Sequence, residues 1–268
     1  MIDSPYLVEP GKKLKLNKRP TDDTGRFKEK SQAAGATEKN LEKLDELQEE
    51  LYAESKRALL VVFQAMDAGG KDGAIEHVFS GVNPQGCSVT SFKVPTHIEA
   101  GHDFLWRHHD AAPSKGMIGI HNRSHYEAVL VERVHELVPK SVWQRRYDRI
   151  NDFERLLDDE GTTILKFFLH ISKDEQKRRL EKRLKDPHKN WKFNPGDLKE
   201  RDRWDDYQQA YEDALEKCST EHGPWFIVPA DNKWFRNWAV SDIIVRTLAS
   251  MKMKYPPPAP GLDKIVIK

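Results

Sequence analysis

The chain has 268 residues, with 44 Lys or Arg against 43 Asp or Glu, a formal net charge of +1, and 38% hydrophobic content. That length suits one large α/β domain or two small ones, and the near-neutral balance excludes a general polycation, so any anion site must come from local clustering. Two cysteines, Cys87 and Cys218, exclude a disulfide framework and point to a reducing cytoplasm, and no apolar run approaches the ~20 residues that span a bilayer.

Residues 1–36 are polar and punctuated by Pro5, Pro10, Pro20, Gly11, Gly25 and Gly35. They read as an irregular arm, and its opening "MIDSPYLVEPGKKLKLNKRP" lacks the apolar centre of a signal peptide. From Thr37, with Asn40 at the start, Leu41, Leu44, Leu47 and Leu51 recur at helical spacing. The apolar run Leu59–Phe63 follows, then the turn "QAMDAGGKDG", then helical spacing over about 73–81.

Four more apolar runs read as strands: "CSVTSFKV" (87–94), "MIGIHNRS" (117–124), "TILKFFLHIS" (163–172) and "PWFIVPA" (224–230). Short bulky runs without polar alternation suit parallel strands buried on both faces. Helical patterns occupy about 98–110, 126–137, 151–158, 174–185, 197–217 and 233–252, and "YPPPAPGLDKIVIK" closes the chain as an extended tail. The alternation predicts a parallel sheet with helices on both faces, whose ligands gather at the carboxyl ends of the strands.

The turn after the first strand has the parts of a phosphate cradle. Ala68, Gly69 and Gly70 allow close backbone approach, Lys71 supplies charge, and a helix begins at once. Against G-x-x-x-x-G-K-[S/T], the first glycine is Ala65 and the final hydroxyl is Asp72. The hydroxyl normally ligates magnesium, which makes Asp67 the candidate metal ligand. An ordinary glycine turn with Lys71 in solvent is the alternative reading. Among the eleven histidines, His102, His108 and His109 lie close in sequence but lack the partners of a metal site.

Four blocks in fixed order are "AMDAGGKDG", "HNRSHYEAVLVERV" from His121, "LHISKDEQKRRLEKRLKDPHKNWKFNPGDLKERDRWDDYQQAYE" from Leu169, and "PWFIVPADNKWFRNWAV" from Pro224. They resemble the polyphosphate kinase 2 family over roughly residues 35–252, and "NRSHYE" resembles the subgroup acting on both AMP and ADP. The resemblance implies a P-loop kinase-like three-layer sandwich with a parallel central sheet and a helical lid. It implies phosphoryl transfer between inorganic polyphosphate and adenine or guanine nucleotides, with Mg2+ as the metal and no nucleic-acid or membrane partner. On this reading residues 1–36 are the arm, 37–255 the catalytic domain with a lid over about 173–210, and 256–268 the tail. Identical chains are expected to assemble.

Asn122 stands where the broader family often carries an aspartate, which throws the metal role onto Asp67. Arg123 is placed to meet phosphate in a bidentate fork. Glu127 is a candidate for nucleotide discrimination, or a helix-start glutamate favouring the dipole. From Lys173 to Arg203 there are twelve basic residues against seven acidic. With Gly69, Gly70 and Lys71, a phosphate lining is expected from Arg133, Arg178, Arg179, Arg183, Lys189, Lys192 and Arg201; the helical bases alternatively face solvent, laced by Glu175, Glu181 and Asp186. Asp231, Asn232 and Lys233, just past the last strand, are expected at the nucleotide or as a helix cap. Trp191, Trp204, Trp234 and Trp238 are base-stacking or core residues. An ATP-dependent nucleotide kinase and a non-catalytic polyanion or RNA binder are the rival readings.

Overall fold

The computed structural model describes residues 2–267; Met1 of the expected arm and Lys268 of the expected tail lie outside it. In chain order the elements are α1 (Lys30–Glu54), β1 (Ala58–Gln64), α2 (Lys71–Val78), β2 (Cys87–Ser91), α3 (His97–Ala100), α4 (Trp106–Asp110), β3 (Ile118–Asn122), α5 (Val131–Val134), α6 (Lys140–Asp159), β4 (Thr162–His170), α7 (Lys173–Lys185), α8 (Gly196–Asp202), α9 (Trp204–Cys218), β5 (Trp225–Pro229) and α10 (Lys233–Ser250). The strands form one parallel sheet in the order β2-β3-β1-β4-β5. α10 packs on α1, α2, β4 and β5, while α6 packs on β4 and α9, which gives three layers. No helix among the described residues is long and apolar enough to cross a membrane.

β1 is buried throughout, because it runs between β3 and β4 with helices over both faces, and its apolar run has no exposed side to alternate with. β2 departs from that expectation. It is the sheet edge and largely open to solvent, which suits its Ser and Thr content.

Several helix boundaries also differ from the sequence expectation. α1 begins at Lys30, not Thr37. Thr37 lies inside the helix, where its hydroxyl donates to the Ala33 carbonyl at 2.9 Å, and Ala33 extends the buried stripe one turn earlier. The pattern over 151–158 is the end of α6, which starts after Pro139; Tyr147 and Ile150 continue its buried face upstream. The 98–110 and 126–137 patterns divide into short pieces, and 197–217 breaks at Arg203.

The arm contributes to the core. Tyr6, Val8, Leu14, Leu16 and Phe27 are buried, and Leu7 bridges antiparallel to Phe226 of β5.

A charged network is sealed under the third-strand block. Lys166 of β4 donates to Glu154 of α6, to the Tyr126 hydroxyl at 2.8 Å and to the Cys218 carbonyl at 2.6 Å. Tyr126 and His125 both reach Glu154 Oε1, at 2.9 and 3.0 Å. Burial opposes the Glu154 charge, but Lys166 and His125 outweigh it and hold the carboxyl below its ordinary range. Paired and hydrogen-bonded, such charges are tolerated inside, and here they anchor the segment after β3.

Beside this network lie His108 and His121, both in contact with Phe92. Burial pushes both imidazoles down, His121 to about 4. In the unfolded chain a histidine titrates near 6.5. Stability from these neutral rings is therefore present above that pH and is lost as pH falls from about 6.5 toward the folded values. Each ring should cost about 1 kcal/mol between pH 6.5 and 5.5. Urea unfolding at pH 7.5, 6.5 and 5.5 should show this decline, and His121→Gln should flatten it by one proton's worth.

Candidate functional site

β1 ends at the sheet centre, and its carboxyl end opens directly into the turn 65–70. Ala68 and Gly70 have φ of +59° and +95°, a left-handed backbone that glycine adopts freely. A methyl group on Gly69 would lie 2.5 Å from Ala65 Cβ, and one on Gly70 would lie 2.3 Å from Arg236 Nη1. The first position demands glycine for space, the second for space and backbone conformation.

Two buried guanidiniums hold this turn. Arg179 Nη1 donates to the carbonyls of Ala68 and Gly69, at 3.1 and 2.9 Å. Its Nη2 donates to the Ala230 carbonyl at 2.5 Å, and its Nε to Glu175 at 2.6 Å. Arg236 Nη1 donates to the Gly70 carbonyl at 2.9 Å, and its other nitrogens to Asn237. The carbonyls are thus drawn toward the protein. The N–H groups of Ala68, Gly70, Lys71 and Asp72 donate to no protein acceptor among the described residues. Free N–H groups at the start of a helix make an anion site.

The charge around the turn reinforces this. Burial and Arg179 lower Arg236 to about 10, so it remains a cation at neutral pH. Burial lowers Lys233 too, followed by the charges of Arg179, Arg236 and Lys182. Lys71, half-buried, donates to the Ala65 carbonyl at 3.1 Å, and burial followed by the Arg123 charge lowers its amine. Cations that depress one another mark a place where an anion is favoured.

Across from the turn, at the end of β3, Arg123 has φ +62° and its N–H donates to the Phe63 carbonyl at 3.1 Å. Its guanidinium reaches Asp67 at 3.3 Å and Glu127 at 3.8 Å. Burial opposes its charge, but Glu127 and Asp67 raise its pKa. Gln64, the last residue of β1, donates to Glu127 at 3.0 Å and to Ser124 at 3.2 Å. Asn122 donates to Asp72 at 2.7 Å, so the residue in place of the loop's usual hydroxyl is bound by the residue in place of the family's frequent aspartate.

Asp67, Gly69, Gly70, Lys71, Asn122, Arg123 and Glu127 therefore lie together around the turn and the end of β3. Arg179 comes to the turn as well, but as a support for its carbonyls, not as a free phosphate donor. The other expected lining residues have protein partners: Arg133 with Asp213 and Tyr147, Arg178 with Glu175, Arg183 with Asp197, Lys189 with Asp186, and Arg201 with the Lys173 carbonyl and Gln176. Lys192 lies over the Trp191 ring.

Asp231, expected at the nucleotide, has both carboxylate oxygens occupied. It accepts from Ser172 N at 2.9 Å and from the Thr21 hydroxyl at 2.8 Å. Asn232 donates to the Asp22 carbonyl at 3.1 Å. These two residues fasten the arm to the end of β5. Lys233 alone of the three adds to the field around the turn.

Sequence reasoning missed Arg236, Gln64 and Gln176, whose Nε2 donates to the Asp67 carbonyl at 2.9 Å. Arg236 stands three residues after Lys233, on the same face of α10, a spacing readable from "DNKWFRN".

No group of three or more His, Cys, Asp or Glu among the described residues could cage a metal. Magnesium does not need one, since it takes one or two carboxylates and completes its shell with phosphate and water oxygens. Asp67, partly open and contacted by one guanidinium, fits that donor set.

Comparison with known proteins shows the family. The family description "Polyphosphate kinase 2" matches residues 27–256. The AMP/ADP-polyphosphate phosphotransferase of Meiothermus ruber is 55% identical, over 98% of this chain and 99% of its own. The ADP-polyphosphate phosphotransferase of Rhodopseudomonas palustris is 46% identical, over 98% and 95%. The crystal structure of polyphosphate kinase 2 from Arthrobacter aurescens superposes with a TM-score of 0.92 at 40% identity, covering 98% of this chain and 97% of that one.

The packing of the turn makes a direct prediction. Gly70→Ala should weaken tripolyphosphate binding by calorimetry at least ~10-fold, a loss of about 1.4 kcal/mol. Gly81→Ala, where a methyl group meets nothing within 4 Å, should leave it unchanged.

Proposed function

The chain belongs to the polyphosphate kinase 2 family and is a polyphosphate-dependent nucleotide phosphotransferase, and from that premise we propose how its residues divide the work between AMP and ADP as acceptors. The observation that carries the reading is the turn 65–72, whose carbonyls are held by Arg179 and Arg236 and whose N–H groups are left for an anion. The terminal phosphates of the donor lie on this turn, with Lys71 and Arg123 on their oxygens. The acceptor lies on the β3 side, beside Arg123 and Glu127.

A phosphate oxygen of the nucleotide attacks the terminal phosphorus of the chain. The bond to the next bridging oxygen breaks, and the polymer leaves one phosphate shorter. The reverse reaction uses the same groups. No covalent enzyme intermediate is required, because phosphoryl transfer depends on positioning and on neutralising charge around the moving group.

Lys71 and Arg123 supply that neutralisation from opposite sides. Arg123, now shared between Asp67 and Glu127, exchanges carboxylate partners for phosphate when substrate enters. Asp67 would hold Mg2+ together with substrate phosphates, and the ion would supply further neutralisation of phosphate charge. Gln176 fixes the backbone at Asp67, and Gln64 fixes the Glu127 carboxylate, so both acids are held in place before substrate arrives.

Glu127 supports the choice of acceptor. AMP leaves a gap where the second phosphate of ADP would sit, and a fixed carboxylate there holds a water or cation for the shorter substrate. Adenine or guanine nucleotides are the proposed acceptors. The two unbridged cysteines agree with a cytoplasmic setting. Assembly of identical chains is open to test by sedimentation.

The decisive measurement incubates the protein with Mg2+, polyphosphate and AMP or ADP, without ATP, and identifies the products by chromatography. ADP and ATP should form; turnover only with ATP as donor would overturn the reading. Lys71→Ala and Asp67→Asn should each lower turnover at least ~100-fold, about 2.7 kcal/mol of transition-state stabilisation. Glu127→Asn should lower the AMP-to-ADP ratio of kcat/KM at least ~10-fold, about 1.4 kcal/mol, measured at saturating polyphosphate and two magnesium concentrations.

A further inference from the structure

α8 contributes no buried residue, so apolar packing does not hold it in place. Its contacts are polar, and they point two ways. Toward α7, Asp197 accepts from Arg183 at 3.5 Å, and Arg201 Nη1 donates to the Lys173 carbonyl at 2.6 Å and to Gln176 Oε1 at 3.0 Å. Gln176 in turn donates to the Asp67 carbonyl in the phosphate turn. Burial, followed by the charge of Asp67, raises the Asp197 carboxyl, which agrees with α8 lying beside that turn.

In the other direction, Glu200 Oε2 accepts from His135 Nε2 at 2.9 Å and from the Tyr207 hydroxyl at 2.6 Å. Arg203, at the end of α8, donates to the Val134 carbonyl at 2.8 Å. His135 and Val134 end the segment that begins with the Asn122–Glu127 block. Hydrogen bonds therefore run from Asp67 through Gln176 to Arg201, and from the adjoining Glu200 to His135. α8 joins the donor half of the site to the acceptor half.

We propose that Glu200 and His135 are positioning residues that latch α8 across the site, and that this latch sets how the transferred phosphoryl group divides between nucleotide and water. The proposal rests on the phosphotransferase reading above. Water competes with the nucleotide as acceptor. Its oxygen attacks the terminal phosphorus, the bond to the bridging oxygen breaks, the chain leaves one phosphate shorter, and the proton passes to solvent as free phosphate forms. Closure that excludes water suppresses this branch. A helix held by partly exposed polar contacts opens readily to admit substrate. Glu200 and His135, each about 30% exposed, touch neither the phosphate turn nor the end of β3, so their removal leaves the reacting groups in place.

The test measures free phosphate and nucleotide product together, from polyphosphate with AMP or ADP, in the unaltered protein and in Glu200→Ala, His135→Ala and the double variant. The ratio of phosphate to nucleotide product should rise at least ~10-fold in each single variant. The double variant should rise no further than Glu200→Ala, because that change already breaks the contact with His135. His135→Gln, which keeps an N–H donor, should bring the ratio back toward that of the unaltered protein. Melting temperatures should shift by no more than ~2 °C, as expected for partly exposed polar contacts. If Glu200→Ala does not fold, Glu200→Gln tests the charge alone and should shift the ratio in the same direction. An unchanged ratio in both single variants, or effects that add in the double variant, overturns the latch. An unaltered protein that makes no nucleotide product from polyphosphate overturns the phosphotransferase reading instead.

Discussion

Arg179 and Arg236 draw the carbonyls of Ala68, Gly69 and Gly70 toward the interior, at 2.9 to 3.1 Å, and the rest of the site depends on this. A peptide unit whose carbonyl faces inward presents its N–H outward. Burying two guanidiniums side by side is costly by desolvation and mutual repulsion. Five carbonyl contacts, Glu175 and Asn237 offset that cost. The field that remains is positive, directly behind the anion site.

That arrangement requires α7 and α10 to meet at the turn, although they are separated by α8, α9 and β5. The arm helps to secure the meeting place. Thr21 and Asp22 fasten to Asp231 and Asn232, and Arg179 caps the Ala230 carbonyl. The β5–α10 loop is thereby fixed from both sides. A polar stretch at the chain start helps to hold the loop that carries Lys233.

The β3 side of the site is held by a separate device. Lys166, Glu154, His125 and Tyr126 form a buried network that is hydrogen-bonded internally. It fixes the chain just after β3, so that Arg123 and Glu127 project from a rigid base. The two halves of the site are anchored independently, one by buried guanidiniums and one by this network. α8 joins them with polar contacts alone, which leaves the connection free to open while the halves stay in place.

Local residue patterns account for the alternation of strands and helices, the five strands, the phosphate turn and the block that carries Arg123 and Glu127. Those features are local: an apolar run, a Gly-Gly-Lys turn and a helix start are each set by neighbouring residues. The sequence also shows many bases after Lys173. Their number is legible, but whether each meets a phosphate, a carboxylate or a backbone carbonyl depends on contacts far along the chain. Arg179 lies more than a hundred residues from the carbonyls it holds, and Thr21 more than two hundred from Asp231. Asp231 looked like a ligand because it follows a strand, yet one of its oxygens accepts from Thr21 of the arm and the other from Ser172 at the start of α7. These roles are set by long-range contacts, because a hydrogen-bonding group has few places to bond and the nearest partner in space takes precedence over any pattern in sequence.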